Sequence, residues 1–247
     1  MDLGIANRRA AVAASSAGLG YGAAAALIEA GVSVAICGRD KAKVEAAATK
    51  LGPLATPLVA DVSTSDGARG FIGDAVAALG GIDILVANAG GPPPGNFATT
   101  PFDSYQKALE LNLLSTVAMC TEAIPHMTEA GWGRIIAITS STVREPSTNL
   151  ILSNTARAGA TAFLKSLSFE VAPLGVTVNT VQPGLHATDR MIELGVDPNA
   201  KPAGIPVGFI GDPADFGAVC AFLASEQARF ITGVSIPVDG GTYRGLQ

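Results

Sequence analysis

AASSAGLGYG, residues 13–22, stands between a short apolar run, RAAVAA (9–14), and an Ala-rich stretch of helical period, 18–30. Glycines at a strand-to-helix junction, here Gly18, Gly20 and Gly22, let backbone N–H groups approach a diphosphate, and the helix N-terminus adds a dipole that favours the anion. A glycine cluster by itself also describes a tight turn. Its place after the first strand is what points to a dinucleotide. The contacts expected here are Ser15, Ser16, Gly18, Leu19 and Gly20, the two serines being either turn formers or phosphate donors.

Outward from that turn the pattern repeats. VSVAIC (32–37), PLVAD (57–61), IDILVAN (82–88), RIIAITS (134–140), VTVNTV (176–181) and VSIPVD (234–239) read as further strands. Helical periods cover 40–51, 64–79, 103–129, 151–172 and 212–224 between them. Seven strands alternating with helices predict a single doubly wound α/β domain of the Rossmann type with a seven-stranded parallel sheet, spanning 1–247. The composition agrees: 48% hydrophobic and 15% charged residues, with a mean hydropathy of +0.38, suit strands covered on both faces. No linker, charge block or repeat divides the chain. The one long aperiodic segment, 184–211, is expected to be a loop that closes over a substrate.

No apolar run reaches the roughly 18–20 residues of a membrane span, and the N-terminus lacks a secretory signal. Cys37, Cys120 and Cys220 are odd in number and far apart, with no metal-ligand spacing, so buried thiols in a reducing cytoplasm are expected and no metal site is predicted. A net charge of −5 without a basic stripe argues against nucleic acid and for small-molecule chemistry.

The second strand ends ICGRD (36–40). An acid at that point would bind a ribose 2′-hydroxyl, whereas an arginine accommodates a 2′-phosphate, so Arg39 favours NADP over NAD; the alternative is a solvated Arg39, with Asp40 as the N-cap of the next helix.

These landmarks together resemble the short-chain dehydrogenase/reductase family, most closely its 3-oxoacyl-carrier-protein reductase-like branch, over essentially the whole chain. AASSAGLG is similar to that family's nucleotide turn, with Ala13 and Ala14 where Thr and Gly are usual. ADV (60–62), through Asp61 and Val62, resembles its adenine-contacting element. NAGG (88–91), with Asn88, Ala89 and Gly90, resembles its Asn-Ala-Gly motif. Asn112 stands at the family's helix Asn and Ser140 at its catalytic Ser. PGLHATDR (183–190) resembles the segment that holds the nicotinamide, through Pro183, Gly184 and Thr188. The resemblance implies a nicotinamide at the carboxyl ends of the strands, hydride transfer to or from a carbonyl or alcohol carbon, and a homo-oligomer, tetramer or dimer.

One element departs from the family. The resemblance places a catalytic Tyr thirteen residues after Ser140 and a Lys four residues later, and those positions hold Ser153 and Arg157, in LILSNTARAGA (150–160). No Tyr lies between 106 and 242. Positions 153 and 157 are one helical turn apart, so both can face one ligand. An alkanol is a far weaker acid than a phenol, and an Arg stays protonated. Ser153 is therefore a hydrogen-bond donor rather than a matched acid, and Arg157 can hold positive charge beside a developing alkoxide and bind the nicotinamide ribose. His186, where the family usually has an apolar residue, is an alternative proton donor, since imidazole titrates near pH 6.5. Tyr21, Tyr105, Tyr243 and His126 have no motif placing them over the nicotinamide. Ser141, Arg144, Glu145 and Asn154 are positional candidates for substrate contacts, and Gly95 with Pro92, Pro93 and Pro94 either shapes one wall of the cleft or stiffens a turn.

Three functions follow. The first is an NADP-dependent oxidoreductase of small or medium carbonyl or alcohol compounds with an atypical centre. The second is a nicotinamide-binding protein without reductase chemistry, acting as a regulatory subunit. The third is a non-redox enzyme on the same fold.

Overall fold

The computed structural model describes residues 1–196 and 204–246. Seven strands form one sheet in the order β3-β2-β1-β4-β5-β6-β7: β1 Arg9–Val12, β2 Ser33–Gly38, β3 Ala55–Val59, β4 Ile84–Ala87, β5 Gly133–Ile138, β6 Val176–Pro183 and β7 Ser235–Val238. Every pairing is parallel. The strand order reverses between β1 and β4, and that switch point, at the carboxyl ends of the strands, is where an open α/β sheet presents a ligand crevice.

Period-two alternation explains the two cores. In β1, Ala10 and Val12 face one side and pack with Leu27, Ile36, Phe216 and Leu223; Ala11, with Ala13 beyond the strand end, faces the other side and packs with Phe71, Leu85, Met119 and Leu164. The first face is covered by α1 (Gly18–Glu29), α2 (Lys41–Leu51) and α8 (Pro213–Ala224). The second is covered by α3 (Ser65–Leu79), α5 (Ser115–Glu129) and α6 (Ile151–Val171). Glycine is required where α1 meets α8: a Cβ on Gly22 would strike the Pro213 carbonyl, and one on Gly217 would strike the Gly22 carbonyl. The backbones touch there, and this fixes the angle at which α1 presents its first turn.

The expected helix 103–129 is divided. α4 (Asp103–Leu109) passes through a π-helical turn, Glu110–Leu114, before α5 begins. Ser115 Oγ and Thr116 Oγ1 donate back to the carbonyls of Leu111 and Asn112, a local competition with the regular ladder that helical periodicity does not reveal. Asn112, inside this turn, is buried. The expected closing loop 184–211 contains a one-turn helix, α7 (Asp189–Glu193), and an isolated parallel bridge between His186 and Gly211; its stretch 197–203 lies outside the described residues. No helix among the described residues is long and apolar enough to cross a membrane.

At the opposite end of the sheet, Asp83 is buried and accepts from Arg9 Nε at 2.8 Å, Arg9 Nη2 at 2.9 Å and the Arg9 backbone N–H at 2.9 Å. Burial pushes this carboxyl up, but the Arg9 hydrogen bonds and the charges of Arg9 and Arg8 outweigh it and hold the group below the usual carboxylate range. A depressed folded pKa means that the stabilisation is complete above the unfolded value near 3.9 and is lost as pH falls through the folded value. Asp83→Asn is expected to cost about 2 kcal/mol at pH 7, in the range for charge-assisted hydrogen bonds. Urea denaturation at both pH values should show the gap from the native chain shrinking by pH 3; an equal gap would remove the ion pair from the account.

Candidate active site

The site is assembled at the carboxyl ends of β1, β4, β5 and β6. Beyond β1 the chain turns sharply: Ala14 has φ +45° and Gly18 φ +61°. Left-handed backbone is free for Gly18 and costs Ala14 about 1 kcal/mol, which the surroundings stabilise through Asn88 Nδ2, donating to the carbonyls of Ala13 (3.2 Å) and Ala14 (3.1 Å). Gly20 has no room for a side chain, since a Cβ would lie 2.6 Å from the Ala14 carbonyl oxygen and 2.8 Å from Asn88 Nδ2. No side chain caps the start of α1 at Ala17. The first N–H groups of α1, including those of Gly18, Leu19 and Gly20, are thus left to a ligand, as a dinucleotide diphosphate requires.

The two serines of the turn differ in their contacts. Ser15 is fully buried, with Oγ donating to the Val12 carbonyl and accepting from the Cys37 N–H, so its hydroxyl is engaged in building the turn. Ser16 Oγ makes no hydrogen bond among the described residues and sits beside Gly38, where a Cβ would come within 2.9 Å of it. At the next strand ends, Arg39 is exposed and its charge reaches Asp61. Burial raises the Asp61 carboxyl, while hydrogen bonds from Ser63 and the Arg39 charge bring it below its ordinary value. Val62 is buried under them, and Asp40 caps α2 by accepting from the Lys43 N–H.

The Ala89-to-Pro92 segment is held by three side chains from three elements. Arg157 Nη2 donates to Ala89 O at 3.4 Å, Asn112 Nδ2 to Gly90 O at 2.9 Å, and Arg190 Nη2 to Pro92 O at 2.6 Å. The Arg190 guanidinium also lies against Gly91, within 2.7 Å of where a Cβ would stand. Arg157 Nη1 further donates to the carbonyls of Ile138 (2.8 Å) and Thr139 (3.0 Å) at the end of β5. Of the five N–H groups of its guanidinium, Nε–H and one on Nη2 remain for a ligand. Burial, and secondarily the charge of Arg190, lower the Arg157 pKa to about 10, so it remains a cation at neutral pH.

Ser153, one turn before Arg157 on α6, is buried as a residue, and its hydroxyl makes no hydrogen bond among the described residues. Ser140 accepts from the Thr142 N–H at 3.2 Å and lies 2.9 Å from Thr142 Oγ1. At the N-terminal end of α6, whose N-cap is Leu150, opens a cavity of about 470 Å³ lined by Pro94, Asn96, Thr99, Asn149, Leu150 and Leu194. Two loops meet along it, with Gly95 N–H donating to Asn149 O and Ile151 N–H to Gly95 O. Gly95 and Pro94 also line it, while Pro92 and Pro93 are not among the lining residues.

The remaining expected residues each have contacts of their own. His186 is buried, its ring edge-on to Phe216 at 5.1 Å and packed against Gly211, with Nδ1 at 3.2 Å from Gly184 O. Burial lowers its pKa against the opposing pull of Gly184 O, Asp212 and Asp215. The ring therefore joins the α8 side of the sheet rather than Ser153 and Arg157 on α6. Arg144 Nη2 donates to Ser235 O and the guanidinium lies over Tyr243, beside a separate cleft of about 940 Å³ between α6 and β7. Asn154 fastens the Ser147 carbonyl, Ser141 opens a short 3-10 turn, and Glu145 is exposed. Thr188 contacts the first turn, its methyl 3.5 Å from a Cβ built on Gly18, while Gly184 leaves no room for a side chain against Asp239. Tyr21 packs partly buried on α1, and His126 is exposed. The three thiols are free and buried, with pKa pushed up to about 12 by desolvation. No metal-binding cluster occurs among the described residues.

Comparison with known proteins agrees with this geometry. The family model described as Enoyl-(Acyl carrier protein) reductase matches residues 13–243. A 3-oxoacyl-[acyl-carrier-protein] reductase of Aquifex aeolicus is 32% identical over 248 residues, covering 98% of this chain and 100% of that protein. The chain belongs to the short-chain dehydrogenase/reductase family. Two solved members overlay it throughout. L-sorbose reductase from Gluconobacter frateurii, complexed with NADPH and L-sorbose, has a TM-score of 0.92 at 26% identity, covering 100% of both chains. A short-chain oxidoreductase from Pseudomonas aeruginosa PAO1 containing an atypical catalytic center has a TM-score of 0.89 at 28% identity, covering 98% of this chain and 100% of that one.

Arg190 is the site residue that the sequence reading passed over. Its signal was available: it is the only arginine between Arg157 and Arg229, two residues beyond Thr188 in the expected closing loop.

Proposed function

We propose that this family member is an NADP(H)-dependent oxidoreductase of small carbonyl or alcohol compounds, in which Ser153 and Arg157 replace a phenol and an ammonium. The observation that carries it is the open Ser153 hydroxyl one turn from a guanidinium anchored on Ile138, Thr139 and Ala89. The L-sorbose reductase bound to NADPH supports the cofactor and the substrate size, and the Pseudomonas protein with an atypical centre supports a family member working without the usual set.

The uncapped start of α1 with Gly18 and Gly20 fits the dinucleotide diphosphate, Asn88, Pro183, Gly184 and Thr188 flank the nicotinamide end, and Arg39 meets a 2′-phosphate. When bound, the nicotinamide supplies or accepts the hydride. The chain's own part is electrostatic. Ser153 donates a hydrogen bond to the substrate oxygen, with Ser140 beside it, and Arg157 stabilises the negative charge that develops there. No side chain of matched pKa stands at the oxygen, so its proton is exchanged with water. Asn112 supports the site indirectly by holding Gly90, its own Oδ1 buried without a protein partner. In this reading the enzyme works in the cytoplasm as a homo-oligomer, tetramer or dimer.

Fluorescence titration tests the cofactor assignment. NADPH is expected to bind at least tenfold more tightly than NADH, and Arg39→Ala to weaken NADPH about tenfold, the value of one charge-assisted phosphate contact, with NADH unchanged. Equal affinities in the native chain would remove Arg39 from the site. NADPH binding with no turnover of any ketone, 3-oxoacyl thioester or imine would favour a regulatory nicotinamide-binding protein instead.

A further inference from the structure

Two guanidiniums clasp one short segment from different elements: Arg157 of α6 at Ala89 and Arg190 of α7 at Pro92 and Gly91. Among the described residues, Arg157 has no acidic partner, only three carbonyl oxygens. Arg190 pairs with Glu193 at 2.8 Å, but Glu193 stands on the exposed side, its side chain 61% accessible. Like charges brought together at a partly enclosed site repel, and a cation without a counter-ion is costly in proportion to its enclosure. In the proposed reading the diphosphate is held by the uncapped start of α1 rather than by these two guanidiniums. The neighbouring cavity wall, Pro94, Asn96, Thr99, Asn149, Leu150 and Leu194, carries no charge of either sign. Leu194 is tied to Arg190 through its own N–H, which donates to Arg190 O at 3.1 Å. The backbone that carries Arg190 is thereby joined to a residue of the cavity wall.

We infer that Arg190 is a specificity residue which, with Arg157, recognises the carboxylate of a small oxo acid, whose uncharged remainder lies in the 470 Å³ cavity. Arg190 retains Nε–H and one hydrogen on each terminal nitrogen beyond its bonds to Pro92 and Glu193, enough for a two-point grip on a carboxylate. The inference rests on the oxidoreductase reading for its reaction, though not for its binding.

The test compares 2-oxobutanoate with 2-oxobutanamide, which differ in charge and little in shape. Calorimetric binding is measured with and without NADP, and kcat/KM with NADPH. The acid is expected to be favoured about tenfold or more. Arg190→Gln should abolish that preference and Arg190→Lys retain part of it, with NADPH affinity unchanged in both. A structural strut would weaken acid and amide alike. Equal binding of the two by the native chain, a preference that survives Arg190→Gln, or binding of neither while NADPH binds would each overturn the proposal and leave the nicotinamide reading standing. Failure to bind NADPH, with the acid still preferred, would do the reverse.

Discussion

Arg157→Ala is expected to lower kcat for carbonyl reduction about 10²- to 10³-fold, the usual consequence of removing one preorganised donor from a developing oxyanion. The same change should weaken NADPH only several-fold, because in the proposed reading the diphosphate and 2′-phosphate contacts lie at the start of α1 and at Arg39. Two consequences are separable: the side chain also tethers Ile138 O, Thr139 O and Ala89 O, so thermal unfolding must be read alongside. Arg157→Lys keeps the charge and loses the fork, and should fall between the two. If Arg157→Ala loses NADPH affinity and activity in equal proportion, the residue is a cofactor clamp and the electrostatic role is wrong.

The second large effect is a gain. Ser153→Tyr combined with Arg157→Lys restores the acid and the ammonium that the family resemblance implies, and general acid catalysis is worth about 10²–10⁴ in rate. An increase in kcat of about 10² is expected, since the surrounding hydrogen bonds are set for Arg157 rather than Lys. NADPH titration shows whether the doubly substituted chain retains its cofactor site. A rate below that of the native chain, with NADPH still bound, would mean that the present arrangement is not a weakened form of the family's centre.

Much of this was legible in the sequence because it depends on short-range pattern. The alternation of apolar runs with helical periods gives strand order no say of its own, yet seven parallel strands with a glycine turn after the first leave few topologies. The tight turn at Gly18 and Gly20 and the cap at Asp40 follow from their neighbours alone: a positive φ, a close approach and a cap are local facts. What was not legible is decided at a distance. Ser15 is equally suited to turn or phosphate until Cys37, on another strand, engages its hydroxyl. His186 has the chemistry of a proton donor until Phe216 and Gly211, which follow it by 25 residues and more, enclose its ring. The π-helical turn at Glu110–Leu114 leaves no mark on apolar spacing, and the meeting of Arg190 with Pro92 joins residues 98 apart.

The missing phenol remains the centre of the account, and the pH dependence of kcat tests it most directly. Without a side chain of matched pKa at the substrate oxygen, the native profile is expected to be flat from pH 6 to 9, and the Ser153→Tyr, Arg157→Lys chain to acquire a limb set by its new acid. A native profile that already bends on the acid side of the ordinary imidazole value near 6.5, where burial moves His186, and becomes flat when His186 is replaced by Ala, would contradict it and return the proton to the imidazole.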